Sequence, residues 1–317
     1  MAYELSEKLV VGVASSALFD LKESDEVFRS QGEAAYREYQ EKNIDNTLNG
    51  GVAFPFIKRL LSLNDLSDEQ SLVEVIVLSR NDPETGLRVM NSINAHNLNI
   101  TRAIFRQGRS PYEFMGALGM SLFLSADGTD VRKALDLGFA AGQVFGSPAI
   151  DPHGRDLRIA FDFDGVLGDD SSERIMQENG LPAFHDNETR NAGVPLPEGR
   201  LTNFLRGINK IQDIEEELVE QDETYNRRVH VAIVTARNAP SHKRVIKTLQ
   251  SSGLRVNDAF FLGGIEKAGV LRVLKPHIYF DDQRNHLEPA ADHVPSVHVP
   301  FGIANIQMEK RGETDSE

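Results

Sequence analysis

An apolar segment that ends abruptly at two carboxylates is the feature that most constrains the fold of this chain. Residues 159–161 form the end of the segment, Asp162 and Asp164 follow it, and Gly165 then permits a turn. Alternation along a strand places both carboxylates on one side, where they repel each other unless a cation or a proton lies between them. A strand that merely ends in a polar turn explains an isolated pattern of this kind about equally well, so the assignment depends on the rest of the sequence.

Short apolar segments alternate with helical ones along the whole sequence. The apolar segments, each a predicted strand, are residues 9–14, 73–78, 100–105, 121–124, 141–144, 158–161, 229–234, 259–262, 277–280 and 297–299. Helices are predicted between most of them, among them one or two over residues 23–42, one that the loop at 107–111 opens, and one at 171–180 with Ser172 as its cap. This alternation is typical of an α/β fold with a mainly parallel sheet covered on both faces. Residues 146–156 are predicted to be the linker between the two halves. Residues 181–198 are predicted to be a long polar excursion, and the acidic run at 213–223 a helical continuation or a loop.

The second half of the sequence repeats the order of the first. Ser79 and Ser125 are 46 residues apart, as are Thr235 and Asp281, and further matching segments lie at offsets of 148 and 156 residues. We interpret this repeat as the duplication of one α/β domain; the alternative is that all doubly wound domains share a similar rhythm. Ala14, Ser16 and Ser125 stand where the second half has Asp162, Asp164 and Asp281, so the first half lacks the carboxylates.

The composition limits the classes of partner and of chemistry. A formal net charge of −14, from 34 basic and 48 acidic residues, argues against a nucleic-acid polymer but allows a small phosphate ester in a local basic pocket. The absence of cysteine excludes disulfides, thiolate metal sites and a cysteine nucleophile. Residues 1–8 are unlike a signal peptide, and no apolar run approaches the ~20 residues of a membrane helix. We therefore expect a soluble, cytoplasmic protein with no membrane partner.

Polar side chains with complementary chemistry follow the predicted strands of the second half. In chain order they are Asp162 and Asp164, Thr235, Lys267, and the pair Asp281 and Asp282. The carboxyl ends of parallel strands meet at one edge of a sheet, where such folds bind ligands. Carboxylates around one point suit Mg²⁺, and a lysine and a hydroxyl group suit the remaining oxygens of a phosphate. The sequence therefore predicts a site for Mg²⁺ and phosphate at this edge.

This order of motifs resembles that of the haloacid dehalogenase-like phosphatase superfamily, which has a DxD motif, a strand-end Thr or Ser, a Lys and an acidic pair. More narrowly, the chain from residue 10 to about residue 306 resembles the cytosolic 5'-nucleotidase type I family. The segments that carry this resemblance are residues 53–58, 91–94, 122–127, 234–237, 261–264 and 276–283. The resemblance implies two tandem Rossmann-like, three-layer domains, of which the first is degenerate, with small cap insertions.

The resemblance also implies a role for each strand-end residue. Asp162 would attack phosphorus and form an aspartyl-phosphate, and Asp164 would act as general acid and then as general base. Thr235 and Lys267 would hold the transferring phosphoryl group. The positions at the metal would be the carboxylate of Asp162, the backbone carbonyl of Asp164, Asp281 and, close by, Asp282.

Other polar residues are less specific signals. Arg237 follows the strand-end threonine, and a surface salt bridge explains it about as well as a substrate contact does. Lys58, Arg80, Asn81 and Arg109 lie at loops or helix starts of the first half. For these four, a solvated charge or a helix cap is a simpler explanation than a nucleotide-binding or regulatory role.

Aromatic and imidazole side chains near these motifs have structural explanations. Phe54 and Phe56 are better explained as core residues than as a base-stacking pair. His277 and His286 flank the acidic pair, and we interpret both as structural because an oxygen-rich Mg²⁺ site does not favour imidazole.

The predicted domain organisation and activity follow from the resemblance. Residues 1–148 would form the degenerate haloacid dehalogenase-like domain, 149–306 the catalytic one with a cap insert at about 170–228, and 307–317 a disordered tail. The expected activity is Mg²⁺-dependent hydrolysis of nucleoside 5'-monophosphates, with AMP favoured and IMP and pyrimidine or deoxy forms as further substrates. The alternatives are a phosphatase for another small ester, such as a sugar phosphate, and a non-catalytic nucleotide-binding regulator. A degenerate half is also compatible with a homo-oligomer.

Overall fold

The chain divides into two compact α/β units, Met1–Val144 and Phe145–Glu317. The computed structural model describes residues 3–148, 154–303 and 305. The predicted linker at 146–156 falls just after the division, but its residues 149–153 lie outside the described residues, as does the predicted tail at 307–317. Within the described ranges, no helix is both long enough and apolar enough to cross a membrane.

The first unit is built on parallel strands in the order β3-β2-β1-β4-β5. These strands are β1 (Leu9–Val13), β2 (Val73–Ser79), β3 (Arg102–Phe105), β4 (Leu122–Ser125) and β5 (Ala141–Phe145). The helices are α1 (Ser15–Leu18), α2 (Lys22–Lys42), α3 (Phe54–Ser62), α4 (Pro83–Ala95) and α5 (Gly128–Asp136), with 3-10 helices at Leu63–Leu66 and Tyr112–Phe114. Phe56 is fully buried, as predicted for a core residue, whereas Phe54 is only partly buried.

The strands of the second unit are also parallel and lie in the order β8-β7-β6-β9-β10. This is the order of the first unit, with β6 to β10 in the places of β1 to β5. These strands are β6 (Leu157–Phe161), β7 (Val229–Thr235), β8 (Asp258–Phe261), β9 (Ile278–Asp281) and β10 (Ser296–His298). The helices are α6 (Ser171–Arg190), α7 (Thr202–Gln221), α8 (His242–Ser251), α9 (Lys267–Leu274) and α10 (Arg284–Ala291). Because β6 lies between β7 and β9, the ends of these three strands are neighbours.

Burial explains why these sequences form these elements. The strand β1 is buried at every residue, and β6 at all but Arg158, as expected of strands covered on both faces. In α7, Phe204, Leu205, Ile208 and Ile211 are buried, and this spacing puts one apolar stripe of the helix against the core.

The predicted excursion at 181–198 is wrong in its first half, because α6 continues to Arg190. The helix is broken at Gly180, which has φ 81° and ψ 176°, a backbone conformation that favours glycine. Pro182 then stands in the first turn of the resumed helix, where a missing N–H costs little. The glycine and the proline that resemble loop signals are therefore the end of one helical segment and the start of the next. Ser172, predicted as the cap of this helix, instead donates its hydroxyl to Glu188.

Three further outcomes concern other helices, one an agreement and two differences. The acidic run at 213–223 continues α7 as far as Gln221, which agrees with the helical alternative. The loop at 107–111 leads only into a single 3-10 turn. The helix α10, which follows the acidic pair, was not predicted, because the proline at position 289 in its interior is a signal against a helix.

The two units share backbone details beyond strand order. Gly32 breaks α2 with φ 83° and ψ −176°, the same conformation as Gly180, which lies 148 residues later. Both units also carry an isolated antiparallel bridge, Phe19 with Gly50 in the first and Gly168 with Glu198 in the second. The chain path after the first strand is thus alike in both units.

Gly199 is expected to be intolerant of a side chain because the chain passes very close to it. A Cβ atom there would lie 2.4 Å from the carbonyl oxygen of Val166 and 2.7 Å from that of Gly168. We expect Gly199→Ala to lower the free energy of unfolding by about 1–3 kcal/mol, the usual cost of overpacking. Urea denaturation measures the change. Gly193→Ala is the matched control, since nothing lies within 4 Å of the added atom; equal destabilisation by both variants would contradict the explanation.

Candidate active site

Three strand ends bring the predicted acidic and hydroxyl residues together in the second unit. Asp162 directly follows β6, Thr235 is the last residue of β7, and Asp281 is the last residue of β9. The backbone N–H of Asp162 donates to the carbonyl oxygen of Phe280 at 2.7 Å, which extends the pairing of β6 with β9 to this point. All three side chains are almost completely buried.

Lys267, at the first residue of α9, bridges two of these carboxylates. Its Nζ lies 2.9 Å from Oδ2 of Asp162 and 2.7 Å from Oδ2 of Asp281. The lysine is only 3% exposed, so its charge is held by these partners rather than by water. The two carboxylates raise the pKa of Lys267 despite its burial, which would lower it. The predicted phosphate-binding lysine is therefore charged and in contact with the predicted nucleophile.

Asp281 has the densest set of hydrogen bonds in this group. Its Oδ1 accepts from the backbone N–H of Gln283 at 2.8 Å, and its Oδ2 accepts from the hydroxyl of Tyr279. Nδ1 of His286 lies 3.3 Å from Oδ2. Burial on its own would raise the pKa of the Asp281 carboxyl, but Lys267 and His286 hold it below its usual range. Asp281 is therefore a fixed, ionised carboxylate.

The pKa values of Asp162 and Asp282 are both raised, in contrast to the lowered pKa of Asp281. Burial raises the pKa of Asp162 to about 6, although Lys267 acts against the shift. Burial and the charges of Asp281 and Asp162 raise the pKa of Asp282 well above its usual range. Carboxylates therefore outnumber the nearby lysine, and a further cation would relieve their repulsion.

The donor atoms fit a metal ion at this edge. One atom from each of Asp162, Asp281 and His286 lies within 4.8 Å of the others. Oδ1 of Asp282 is buried without a hydrogen-bond partner. Gly165, with φ 70°, approaches Oδ2 of Asp282 so closely that a Cβ atom would lie only 2.6 Å away. An acidic cluster with a free buried oxygen could hold a hard cation.

Asp164 belongs to a second ion-pair network rather than to the lysine cluster. Arg237 donates from Nε to Oδ2 of Asp164 at 2.7 Å and from Nη2 to Oδ1 at 2.6 Å. The Nη1 of Arg237 donates to Glu188, which also accepts from Arg244. Arg237 is 4% exposed and Glu188 is fully buried. The surface salt bridge predicted as one explanation for Arg237 is therefore wrong, because the ion pair is buried.

The first-half candidates lie in the first unit with ordinary polar partners. Lys58 and Arg109 are exposed, and Nε of Arg109 reaches only the carbonyl oxygen of Arg106 at 3.4 Å. Arg80 forms an exposed ion pair with Asp127 at 2.9 Å. The backbone N–H of Asn81 donates to Ser79 at 3.1 Å.

Several residues of the site were missed by the sequence reasoning. Glu188 was lost because 181–198 was assigned to a polar excursion, and Arg244, which lies in α8, was not singled out by any motif. His286 was interpreted as structural, and its imidazole contacts the carboxylate of Asp281 within the site. His298 and Asn305 hold the backbone carbonyl of the acidic pair, with Nε2 at 3.1 Å and Nδ2 at 3.0 Å from the carbonyl oxygen of Asp282; no motif pointed to them.

Loss of the lysine is expected to destabilise the fold as well as the site. Lys267→Met leaves Asp162 and Asp281 buried without their shared counter-charge, so the free energy of unfolding should fall by about 3–5 kcal/mol. Urea denaturation at neutral pH measures this loss. Lys247→Met, at an exposed position of α8, is the control and should change stability by less than about 0.5 kcal/mol. Superimposable curves for the two variants would refute the coupling.

Comparison with known proteins identifies the family of this chain. A family model described as 5'-nucleotidase matches residues 1–306. The chain is 34% identical over 289 residues to the Homo sapiens protein named cytosolic 5'-nucleotidase 1B. The aligned region covers 89% of this chain and 47% of that relative. The chain thus spans about half the length of this relative, and no solved structure matches it. On the family match over nearly its whole length, the chain belongs to the 5'-nucleotidase family.

Proposed function

We propose that this protein is a Mg²⁺-dependent 5'-nucleotidase that hydrolyses nucleoside 5'-monophosphates to nucleoside and phosphate, with AMP the favoured substrate. The observation that carries the proposal is the contact of Lys267 with both Asp162 and Asp281 at adjoining strand ends. In this arrangement Asp162 would be the nucleophile and Asp281 a metal ligand, with the charge of Lys267 between them, as phosphoryl transfer requires. The family match supports the substrate class.

The fold proposed for this activity is a pair of tandem, three-layer haloacid dehalogenase-like domains. The shared strand order and the equivalent breaks at Gly32 and Gly180 support a duplication. We assign residues 1–148 to a degenerate domain and 149–306 to the catalytic one. Residues at about 170–228, which include α6 and α7, would form the cap that closes over the nucleoside.

The proposed first step is a transfer of the phosphoryl group to the protein. An oxygen of Asp162 attacks phosphorus, the bond from phosphorus to the ribose O5' breaks, and Asp164 donates a proton to that departing oxygen. In the second step, a water molecule gives a proton to Asp164 and attacks the aspartyl-phosphate. This releases inorganic phosphate and restores Asp162, so protons and electron pairs balance over the cycle.

Other side chains of the site would bind and orient the phosphoryl group. Lys267 carries its charge at the Asp162 carboxylate, and the hydroxyl of Thr235 ends the neighbouring strand. Both are placed to neutralise or to hydrogen-bond the phosphoryl oxygens. We retain Arg237 as a candidate substrate contact. We also retain the first-unit set as candidate nucleotide or regulatory contacts: Lys58, Arg80, Asn81 and Arg109.

Mg²⁺ fits the donor set of this edge better than a softer metal does. The proposed ligands are the carboxylates of Asp162 and Asp281 and the backbone carbonyl of Asp164, with Asp282 close by. Bound Mg²⁺ would neutralise charge on the phosphate and orient it for in-line attack. We assign His286 to an orienting role on Asp281, because Mg²⁺ prefers oxygen ligands to imidazole.

The setting of this activity is proposed from the relative. The Homo sapiens relative is named a cytosolic 5'-nucleotidase, which supports a cytoplasmic location for this chain. We further propose that the degenerate first unit favours self-association into a homo-oligomer, since it carries surface but no catalytic carboxylates.

Phosphate release from a substrate panel tests the activity. We expect release from AMP, IMP, CMP and UMP, but little from glucose 6-phosphate. EDTA should abolish it, and Asp162→Asn should lower it by several orders of magnitude, as loss of a nucleophile does. Preference for the sugar phosphate would favour the alternative phosphatase. Binding of nucleotide by the wild type without any release of phosphate would favour the non-catalytic regulator.

Titration calorimetry with Mg²⁺ alone tests the metal site without a substrate. We expect Asp281→Asn to weaken binding by about 10-fold or more, since even outer-shell changes at metal sites cost this much. Asp292→Asn is the control, because that carboxylate is exposed at the end of α10. Equal affinity in both variants would place the ion elsewhere.

A further inference from the structure

Glu188 is the centre of a buried polar cluster beside the proposed active site. It lies in the part of α6 beyond Gly180 and has no exposed surface. Its Oε1 accepts from the hydroxyl of Ser172 and from Nη1 of Arg244, each at 2.8 Å. Its Oε2 accepts from Nη1 of Arg237. Each oxygen of this carboxylate therefore serves a different arginine.

Arg237 carries the interaction on to Asp164. Its Nε and Nη2 donate in parallel to the two oxygens of that carboxylate, at 2.7 and 2.6 Å. A two-bond pairing of this kind fixes the plane of the carboxylate. It uses one lone pair on each oxygen and leaves the others for a proton or a water molecule. The rings of Phe163 and Phe184, each 5.3 Å from the guanidinium carbon, further restrict Arg237.

Part of this cluster recurs in the first unit as scaffolding. Arg88 donates from Nε to the carbonyl oxygen of Asn46 at 3.0 Å and from Nη1 to Oε1 of Gln40 at 3.2 Å. Arg244 does the same in the second unit, where its Nε reaches a main-chain carbonyl at 2.9 Å and its Nη1 reaches Glu188. The arginine on Oε1 is therefore common to both units, whatever charges stand around it.

The other part of the cluster differs between the units. Gln40 stands 148 residues before Glu188, and Ser16 stands 148 residues before Asp164. Asn81 stands 156 residues before Arg237. Three linked charges in the second unit are thus three neutral residues in the first, although the fold of α2 and α4 is preserved there. The packing of these helices therefore does not require the three charges, which in the second unit link Glu188 through Arg237 to Asp164.

We propose that Glu188 is a positioning residue, which acts through Arg237 to hold Asp164 in the orientation for proton transfer to the leaving ribose oxygen. This inference rests on the proposed function. Without the charge of Glu188, Arg237 loses its rear anchor and turns within its pocket. Asp164 then loses its fixed plane, while Asp162 and Lys267 keep their own contacts. Only the proton-transfer part of the reaction is affected.

Two esters with different leaving groups separate this role from a structural one. The ribose alkoxide of AMP needs a proton to depart, whereas p-nitrophenolate departs without one. We expect Glu188→Gln to lower kcat/KM for AMP by about 100-fold, the typical contribution of a general acid, and to change kcat/KM for p-nitrophenyl phosphate far less. The constant kcat/KM is the right readout because it covers the first transfer step, common to both esters, and excludes hydrolysis of the aspartyl-phosphate.

Matched variants control for folding and for the rest of the cluster. Ser172→Ala removes the hydroxyl that donates to Oε1 of Glu188 and accepts from Arg244 at 3.4 Å, but it leaves the pairing of Oε2 with Arg237 intact. The ratio of the two kcat/KM values should therefore stay at its wild-type level. Gln40→Ala, at the equivalent position of the first unit, should also leave the ratio unchanged. Glu188→Asp keeps the charge but withdraws it by one methylene group. It should lower kcat/KM for AMP selectively, but by less than Glu188→Gln does. It also replaces Glu188→Gln in the test if that variant does not fold.

The outcomes distinguish this inference from the proposed function. A selective loss for AMP in the Glu188 variants supports it. An equal loss for both esters, or no loss, overturns it and leaves Glu188 as a packing residue, while wild-type hydrolysis that depends on Asp162 still stands. If the wild type releases no phosphate from any nucleotide, the proposed function fails and the inference fails with it.

Discussion

Burial of four carboxylates at one sheet edge is the constraint on which the second unit depends. Asp162, Asp164, Asp281 and Asp282 are each less than a tenth exposed. Carboxylates removed from water are costly unless cations and hydrogen bonds compensate them. Lys267 compensates one pair, and a guanidinium compensates Asp164 from the other side. Buried cations therefore hold Asp162, Asp164 and Asp281 in place before any ligand arrives, whereas Oδ1 of Asp282 has no hydrogen-bond partner among the described residues.

The residues that meet at this edge could be predicted because strand ends have a simple geometry. Apolar segments of four to six residues located β6, β7 and β9 within a residue or two, and parallel pairing then required their carboxyl ends to adjoin. The positions of Asp162, Thr235 and Asp281 follow from that alone. Lys267 was predicted together with them as a residue that follows a strand, but it lies further along the chain, at the first residue of α9, and its long side chain reaches the edge from there.

The surrounding shell could not be predicted in the same way, because its members act across the fold. Glu188 lies in a polar segment with a glycine and a proline, the two residues that most resemble loop signals. The repeat itself held the missing information: residues 23–42 were predicted to be helical, and the same positions 148 residues later are 171–190. Applying the repeat to secondary structure would have extended α6 to its observed end.

The recurring anchor of Arg88 and Arg244 has a consequence for how such a site can arise. In both units a hydroxyl one turn further along the helix also holds the incoming chain: Ser92 accepts from the N–H of Leu48 at 3.0 Å, as Thr248 does from its counterpart at 2.9 Å. This frame recurs in the first unit, where neutral residues stand in place of the three linked charges, so its packing is independent of them. The three charges can therefore vary as one group between the units, while the arginine and the hydroxyl that hold the chain path stay the same.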